Sequence, residues 1–208
     1  ALYTLINTSI VKSVNYKKLS DTCHQRLELA KRAYELKKKY RKEFFFLRVV
    51  SPLICACEKG HLEDVKVLIA GYNDVITLKE YVNQVGKDSV GWPCTPLMVA
   101  ALKEHFHVVK YLIEQCEADP NIANSDGVNA LHCAVGRNRT TSELIELLLT
   151  HMTLASINKM SSRGFTPLDF AYVNNGSPLR QEIIALLRSK CGKANCFDEN
   201  GREVEPGN

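Results

Sequence analysis

The sequence has no long hydrophobic run and none of the common catalytic motifs. Its best apolar stretch, Phe44 to Val50, is broken by Arg48 and falls far short of the ~20 residues that a membrane-spanning helix needs. A phosphate-binding glycine loop, Gly-x-Ser-x-Gly and His-Glu-x-x-His are all missing. The start, Ala1 to Ile10, lacks a basic region and a small-residue cleavage site, so we expect no secretory signal there. These absences predict a protein that is neither membrane-spanning nor an enzyme.

The bulk composition is that of an ordinary globular chain. Of the 208 residues, 45% are hydrophobic and 24% are charged, which excludes a disordered tail, a collagen-like fibre and a low-complexity array. The length suits one domain, or one domain with an appendage.

Cysteine is plentiful but not arranged as a disulfide framework or a zinc site. Cys55 and Cys133 each lie two residues after a leucine and just before an alanine, in segments that we expect to be buried helices, where a free thiol acts as a small hydrophobe. The pairs Cys55/Cys57 and Cys191/Cys196 lack a second pair or a histidine at zinc-site spacing. We therefore predict free thiols, no metal and no cofactor, and a cytoplasmic or nuclear location.

Positive charge is concentrated in one segment. Residues 31–43 hold seven basic and two acidic residues, a local charge of +5, whereas the whole chain carries +4. Such a run is typical of a solvated helix face, which we favour here. It is also compatible with binding to nucleic acid or to an acidic membrane surface.

A short string recurs four times along the chain. It begins at Ser51, Thr95, Asn129 and Thr166, and its leucines, at positions 53, 97, 131 and 168, are 44, 34 and 37 residues apart. Asn83, Asn121, Asn158 and Asn195 recur in phase with the string, and a glycine precedes three of its copies, at positions 91, 127 and 164. A serine or threonine before proline favours a helix start, because the side chain caps the first turn and proline fits there. Several coincident markers in one register predict stacked helical repeats.

The string resembles the opening of the ankyrin repeat, which has a period of about 33 residues and the signature Thr-Pro-Leu-His-x-Ala. The resemblance covers about residues 51–201. It implies an all-α solenoid of stacked helix-turn-helix units with finger loops, with repeats at about 49–88, 89–124, 125–161 and 162–198. In the family, the histidine of this signature bonds the backbone of the neighbouring finger, which implies a structural role for His132. A catalytic Cys–His pair of His132 with Cys133 is therefore not expected.

The chain departs from the pattern at several points. Residues 71–94 are longer than one repeat needs, so we expect an extended second helix or an extra turn between Tyr72 and Val85. Longer interhelix loops are expected at 136–141 and 174–178. Residues 197–201 resemble the finger entering a fifth repeat, and residues 202–208 are expected to form a polar tail.

The N-terminal segment, residues 1–48, does not fit the repeat. Ser20 or Asp21 is expected to cap a helix that runs to about Phe44. Apolar residues spaced three or four positions apart give this helix a narrow apolar stripe, formed by Leu29, Ala33, Leu36, Tyr40, Phe44 and Leu47. We expect this helix to cover the first repeat, as terminal caps of solenoids do. A separate partner-binding helix, or a coiled-coil seam that forms a dimer, is the alternative.

The resemblance also implies a binding face. In the family, finger tips and first helices line a concave surface. We expect Trp92 and Phe165, which come just after finger glycines, to be the anchors for a partner. Carrying the family's variable contact positions over gives twelve candidate partner-binding residues: Ser89, Val90, Trp92, Lys103, Ser125, Asp126, Val128, Arg137, Ser162, Arg163, Phe165 and Asn174.

The sequence thus predicts a monomeric adaptor that binds a protein partner through its concave face and finger tips. Two alternatives stay open. One is binding to nucleic acid or another acidic surface through Lys31 to Lys42. The other is a role as the scaffold region of a larger multidomain enzyme, since a fold alone does not assign a function.

Overall fold

The computed structural model is a row of helix pairs that follows one long helix. It describes residues 16–43, 51–72, 77–137, 140–174, 178–190 and 192–196, and it describes the side chains of the long helix at residues 24–41. The helices are α1 (Tyr16–Glu43), α2 (Pro52–Lys59), α3 (Leu62–Ala70), α4 (Leu78–Asn83), α5 (Pro96–Leu102), α6 (Phe106–Cys116), α7 (Ala130–Val135), α8 (Ser142–His151), α9 (Leu154–Ile157), α10 (Pro167–Val173) and α11 (Arg180–Ser189). The strands are β1 (Gly86–Lys87) and β2 (Pro93–Cys94). This architecture confirms the predicted all-α repeat fold.

Some predictions fall outside the described residues. They concern Phe44 and Leu47 at the end of the apolar stripe, Cys191, the fifth finger at 197–201 and the tail at 202–208.

Each helix pair consists of a first helix that starts at the repeated string and a second helix packed against it. The first helices α2, α5, α7 and α10 pack side by side in sequence order. The side-chain oxygens of Thr95, Asn129 and Thr166 accept hydrogen bonds from the third backbone N–H of their helices, as caps do. Ser51 makes no such bond, so the first copy of the string begins its helix with proline alone.

The core is continuous from one pair to the next. The four string leucines are at most 3% exposed, and all four belong to one cluster of buried side chains that includes residues of every repeat. A single helix pair could not bury both of its apolar faces, so stacking supplies the hydrophobic stabilisation. Within the described ranges, no helix combines the length and hydrophobicity needed to cross a bilayer.

The insert before the second repeat forms a separate short helix rather than an extension of α3. The helix α4 is capped by Thr77, whose side chain accepts a bond from the backbone N–H of Glu80 while the Glu80 carboxylate accepts one from the backbone N–H of Thr77. A similar short helix in the third repeat, α9, is capped by Thr153. Local capping therefore separates α4 from α3. Of the two forms expected for the insert, an extended second helix or an extra turn, the structure has an additional short helix.

Three of the recurring asparagines join each repeat to the next. The Asn83 side chain accepts a bond of 2.7 Å from the backbone N–H of Asp119, and Asn121 accepts one of 2.8 Å from that of Thr153. Asn158 accepts a bond of 2.6 Å from the backbone N–H of Lys193. Backbone groups that would lack a helical partner are thereby satisfied across the repeat boundary.

The helix α1 lies on the first repeat, where it packs against α2 and α3. It begins at Tyr16, earlier than the predicted cap at Ser20 or Asp21, because no proline or glycine stops the helix between these positions. Tyr40 is buried, and its hydroxyl donates a 2.8 Å bond to the Asp64 carboxylate. A buried hydroxyl with a carboxylate acceptor fixes α1 in one register on α3.

Candidate functional site

The three fingers among the described residues, at 88–92, 124–128 and 161–165, share an internal framework. Asp88, Asn124 and Ser161 are buried, and each donates a hydrogen bond from its backbone N–H to the carbonyl oxygen of the residue four positions later. The side-chain oxygen of Asp88 also accepts from the N–H of Trp92 at 2.8 Å, that of Asn124 from Val128 at 3.0 Å and that of Ser161 from Phe165 at 3.3 Å. Each finger is therefore a tight turn whose tip is held by one buried acceptor.

The fingers are also bonded to one another. Asn124 donates from its amide nitrogen to the carbonyl oxygen of Pro93 at 2.8 Å, and the Ser162 N–H donates to the Asp126 carbonyl at 2.7 Å. Asn195 donates to the Gly164 carbonyl at 2.9 Å. These bonds make the row of fingers one connected surface.

A cavity of about 300 Å³ lies between the three fingers. Its lining combines apolar and polar groups from all three of them and from α10: Trp92, Asp126, Val128, Ser161, Ser162, Arg163 and Phe170. Five predicted contact residues are thus brought together, although they lie far apart in the sequence. Clefts of this size with a few converging polar groups are typical binding sites.

The two predicted aromatic anchors are less free than the sequence suggested. Trp92 is half-buried and packs against the core. Phe165 is half-buried too, with its ring edge-to-face with Phe170 at 5.9 Å, and Phe170 meets the His132 ring at 5.5 Å. Large aromatic rings bury most of their area where neighbours allow it. Each ring therefore offers only part of its surface to a partner.

Ser89 and Lys103 lie away from the cavity and share one partner. Ser89 donates from its N–H and its hydroxyl to the Glu58 carboxylate, and the Lys103 ammonium lies 3.3 Å from the same group. The carboxylate is only 11% exposed. These two candidates join the first and second repeats, whereas Val90, at the tip of the first finger, is 82% exposed.

Asn174 is engaged by the neighbouring repeat. Its amide nitrogen donates to the carbonyl oxygens of Val135 and Arg137 at 3.0 and 2.7 Å. The Arg137 side chain itself is exposed, as is Ser125 in the second finger. Asn174 therefore ties α10 to the end of α7, with both of its amide hydrogens used.

His132 and Cys133 have structural surroundings. The Nε2 atom of His132 lies 3.2 Å from the Phe165 carbonyl oxygen, the finger contact that the resemblance implies. Burial lowers the pKa of His132 to about 4, and burial raises that of Cys133 well above its ordinary value. A neutral buried imidazole beside an un-ionised thiol does not form an activated nucleophile.

No metal-binding cluster of histidine, cysteine and carboxylate residues occurs in the part of the chain that the structure describes. The cysteines with described side chains are free and buried: Cys55, Cys57, Cys94, Cys116, Cys133 and Cys196.

Comparison with known proteins identifies the architecture. A family model described as ankyrin repeats (3 copies) matches residues 26–124 and again residues 97–198. The chain belongs to the ankyrin repeat family. The match begins inside α1, so this ankyrin repeat chain resembles the family over part of its N-terminal helix as well. Ankyrin repeats as a class mediate contacts between proteins through such extended surfaces.

The ankyrin repeat chain is similar to parts of much longer curated proteins. It is 26% identical over 146 residues, or 70% of its length, to "NAD-dependent deacetylase sir2B" of Dictyostelium discoideum, of which this match covers 18%. It is 42% identical over 126 residues, or 59% of its length, to "Zinc finger CCCH domain-containing protein 66" of Arabidopsis thaliana, of which 20% is covered. The chain spans about a fifth of the curated relatives that it matches.

Sequence reasoning missed the residues that hold the fingers. Asp88, Asn124 and Ser161 have different side chains, so no identity marks them. Their common signal is an oxygen acceptor three residues before each finger glycine. No sequence pattern marks Glu58, whose carboxylate binds both Ser89 and Lys103, because these partners belong to the next repeat.

Proposed function

We propose that this ankyrin repeat chain is a non-catalytic module that binds a segment of a protein partner across its fingers. The observation that carries the proposal is the cavity in which Trp92, Asp126, Val128, Ser162 and Arg163 meet. The hydrogen bonds between fingers hold these groups in place before a partner arrives, which lowers the ordering cost of binding.

The non-enzymatic part of the proposal is supported by the use of the reactive side chains. The Nε2 atom of His132 contacts the carbonyl oxygen of Phe165 in the third finger. Cysteines in and next to the first helices, such as Cys55, Cys94 and Cys133, are free and buried in the core. Free buried thiols also fit the reducing conditions of the cytoplasm or nucleus.

The test compares partner capture by the wild type and by the Trp92→Ala/Phe165→Ala double variant. We expect the variant to keep its cooperative unfolding transition and to lose more than ~2 kcal/mol of binding free energy, as for hot-spot aromatics. Lys190→Ala, an exposed site at the end of α11, is the matched control. Unchanged capture by the double variant contradicts the proposal, and loss of its unfolding transition places both rings in the core.

A second candidate function is nucleic-acid binding through α1. Lys31, Lys38 and Lys39 lie near carboxylates, but Arg26, Arg32 and Arg41 have no ion pair among the described side chains. A helix of 28 residues with uncompensated guanidinium groups is long enough to follow a phosphate backbone.

This candidate predicts an affinity for a labelled nucleic-acid duplex that falls steeply with salt. Reversing Arg32, Lys37 and Arg41 to glutamate should abolish that binding. The same reversal at Lys66, Lys110 and Lys190, which are placed on other helices or their ends, should weaken it much less. A salt-independent affinity contradicts a phosphate contact.

A further inference from the structure

We infer that the segment held in the finger cavity carries one large apolar side chain beside an acidic residue. The inference rests on the proposed function and adds the chemistry of the partner. It is argued from the lining of the cavity and from the charges around it.

The apolar part of the cavity lining has room for one apolar side chain of the partner. Trp92, Val128 and Phe170 contribute apolar surface, and Phe170 is held in place by the rings of Phe165 and His132. A volume of about 300 Å³ is at the lower end of the range for ligand pockets. The space therefore suits one leucine, methionine or phenylalanine side chain rather than a drug-sized molecule.

The polar part of the lining is asymmetric. Arg163, in the third finger, is exposed and has no ion pair among the described residues, and a guanidinium binds carboxylates in a two-pronged geometry. Asp126, in the second finger, is also exposed and repels a carboxylate on its own side. An acidic residue is thus favoured on the Arg163 side of the anchor and disfavoured on the Asp126 side.

Charges farther along the first helices have the same sign as Arg163. Lys103 and Arg137 follow α5 and α7, one helix length of roughly 10 Å from the fingers, and both are exposed. The nearby Glu58 carboxylate is mostly buried and already shared by Lys103 and Ser89, and Asp88 is buried with its oxygen used by backbone N–H groups. Lys103 is therefore already paired with Glu58, and Arg137 is the cation on this face that adds to the attraction of Arg163 for an acidic segment.

The chain contains one tryptophan, and it lines this cavity. Its fluorescence emission therefore reports occupation of the cavity directly, provided that the peptide contains no tryptophan. The experiment selects peptides from a displayed random library on the full chain, then titrates synthetic copies of the enriched peptides while the Trp92 emission is recorded.

We expect the enriched peptides to share a leucine, methionine or phenylalanine next to an aspartate or glutamate, and to shift the Trp92 emission. Arg163→Glu should weaken these peptides roughly tenfold or more and should itself select peptides with a basic flank. Lys190→Glu, with the same charge change on an exposed side chain after α11, should leave their affinity unchanged.

The outcomes separate this inference from the proposed function. Enriched peptides that are basic or lack an apolar anchor, but fail to bind Trp92→Ala/Phe165→Ala, overturn the inference and keep the proposed function. Enriched peptides that bind the double variant as well as the wild type, without a change in Trp92 emission, overturn both. Selection of no peptide at all also counts against both.

Discussion

The side-chain amide of Asn124 donates a 2.8 Å hydrogen bond to the carbonyl oxygen of Pro93, so that the base of the second finger holds the end of the first. The Oδ1 atom of the same amide accepts from the N–H groups of Asp126 and Val128, each at 3.0 Å. One buried side chain thus builds its own finger and joins it to the preceding one.

Replacement of this amide tests its contribution. We expect Asn124→Ala to lower the free energy of unfolding by about 2–3 kcal/mol, because buried backbone donors and an acceptor lose their partner. Urea denaturation gives the value. Ser125→Ala, at the exposed neighbouring position, should change it by less than about 0.5 kcal/mol. Equal effects of the two variants would refute this role.

Two finger glycines provide a matched pair for steric strain. Gly91 and Gly127 have φ of 86° and 73°, but an added Cβ meets nothing within 4 Å at Gly91, whereas at Gly127 it lies 2.6 Å from the Met160 carbonyl oxygen. We expect Gly91→Ala to cost about 1–2 kcal/mol from backbone strain alone. Gly127→Ala should cost clearly more. Thermal unfolding of both variants decides this, and an equal loss would contradict it.

The contact of α1 with α3 depends on two small residues. A Cβ added at Gly71 lies 2.4 Å from the Ala33 Cβ, with an ordinary backbone conformation at Gly71. We expect Gly71→Ala to destabilise the chain by about 1–3 kcal/mol, since over-packing displaces the helix. Ala33→Gly/Gly71→Ala should recover part of the loss despite the cost of glycine in a helix. A double variant less stable than the sum of both single effects would argue against this contact.

The buried imidazole of His132 makes stability depend on pH. Its pKa is about 4 in the folded chain because of burial, against about 6.5 when unfolded. Between these values the unfolded chain binds the extra proton, so stability falls as the pH falls from about 6.5 to 4. The loss contributed by His132 approaches about 3 kcal/mol. Denaturation at several pH values should show a shallower dependence for His132→Gln, and an identical slope would exclude the histidine as its source.

The core thiols should be inert until the chain unfolds. Burial raises the pKa of Cys94 to about 12, and burial also raises those of Cys57 and Cys133. Because the thiolate is the reactive form, a thiol reagent at pH 8 should label these residues only through unfolding. In a background with Cys23 and Cys191 replaced by serine, labelling rates should rise in parallel with denaturant-induced unfolding. Fast labelling of the native chain would contradict the burial.

The helical repeat could be predicted because its determinants are local. Thr95 and Thr166 cap their helices as the sequence indicates, since a cap needs only a side chain and the next turn of backbone. Ser51 has the same neighbours in sequence but makes no cap bond. The predicted start of α1 at Ser20 or Asp21 was also wrong by about one turn. The helix begins at Tyr16, because the residues before a potential capping side chain are themselves helical.

The finger residues were only partly predictable because their surroundings are not local. Trp92 and Arg163 belong to different repeats, and only stacking brings them to one cavity. Asn174, a predicted partner contact, donates its amide hydrogens to the carbonyl groups of Val135 and Arg137, which the sequence alone does not indicate. Glu58 shows the same limit, because its partners Ser89 and Lys103 lie in the next repeat.

The asparagine joints have a mechanical consequence. Asn83, Asn121 and Asn158 each connect the end of one repeat to the backbone of the next. A pulling force along the array would load these joints in series, so that the weakest boundary yields first while the others hold. Under tension the chain would lengthen in discrete steps of about one repeat, because each repeat is stabilised only by its nearest neighbours.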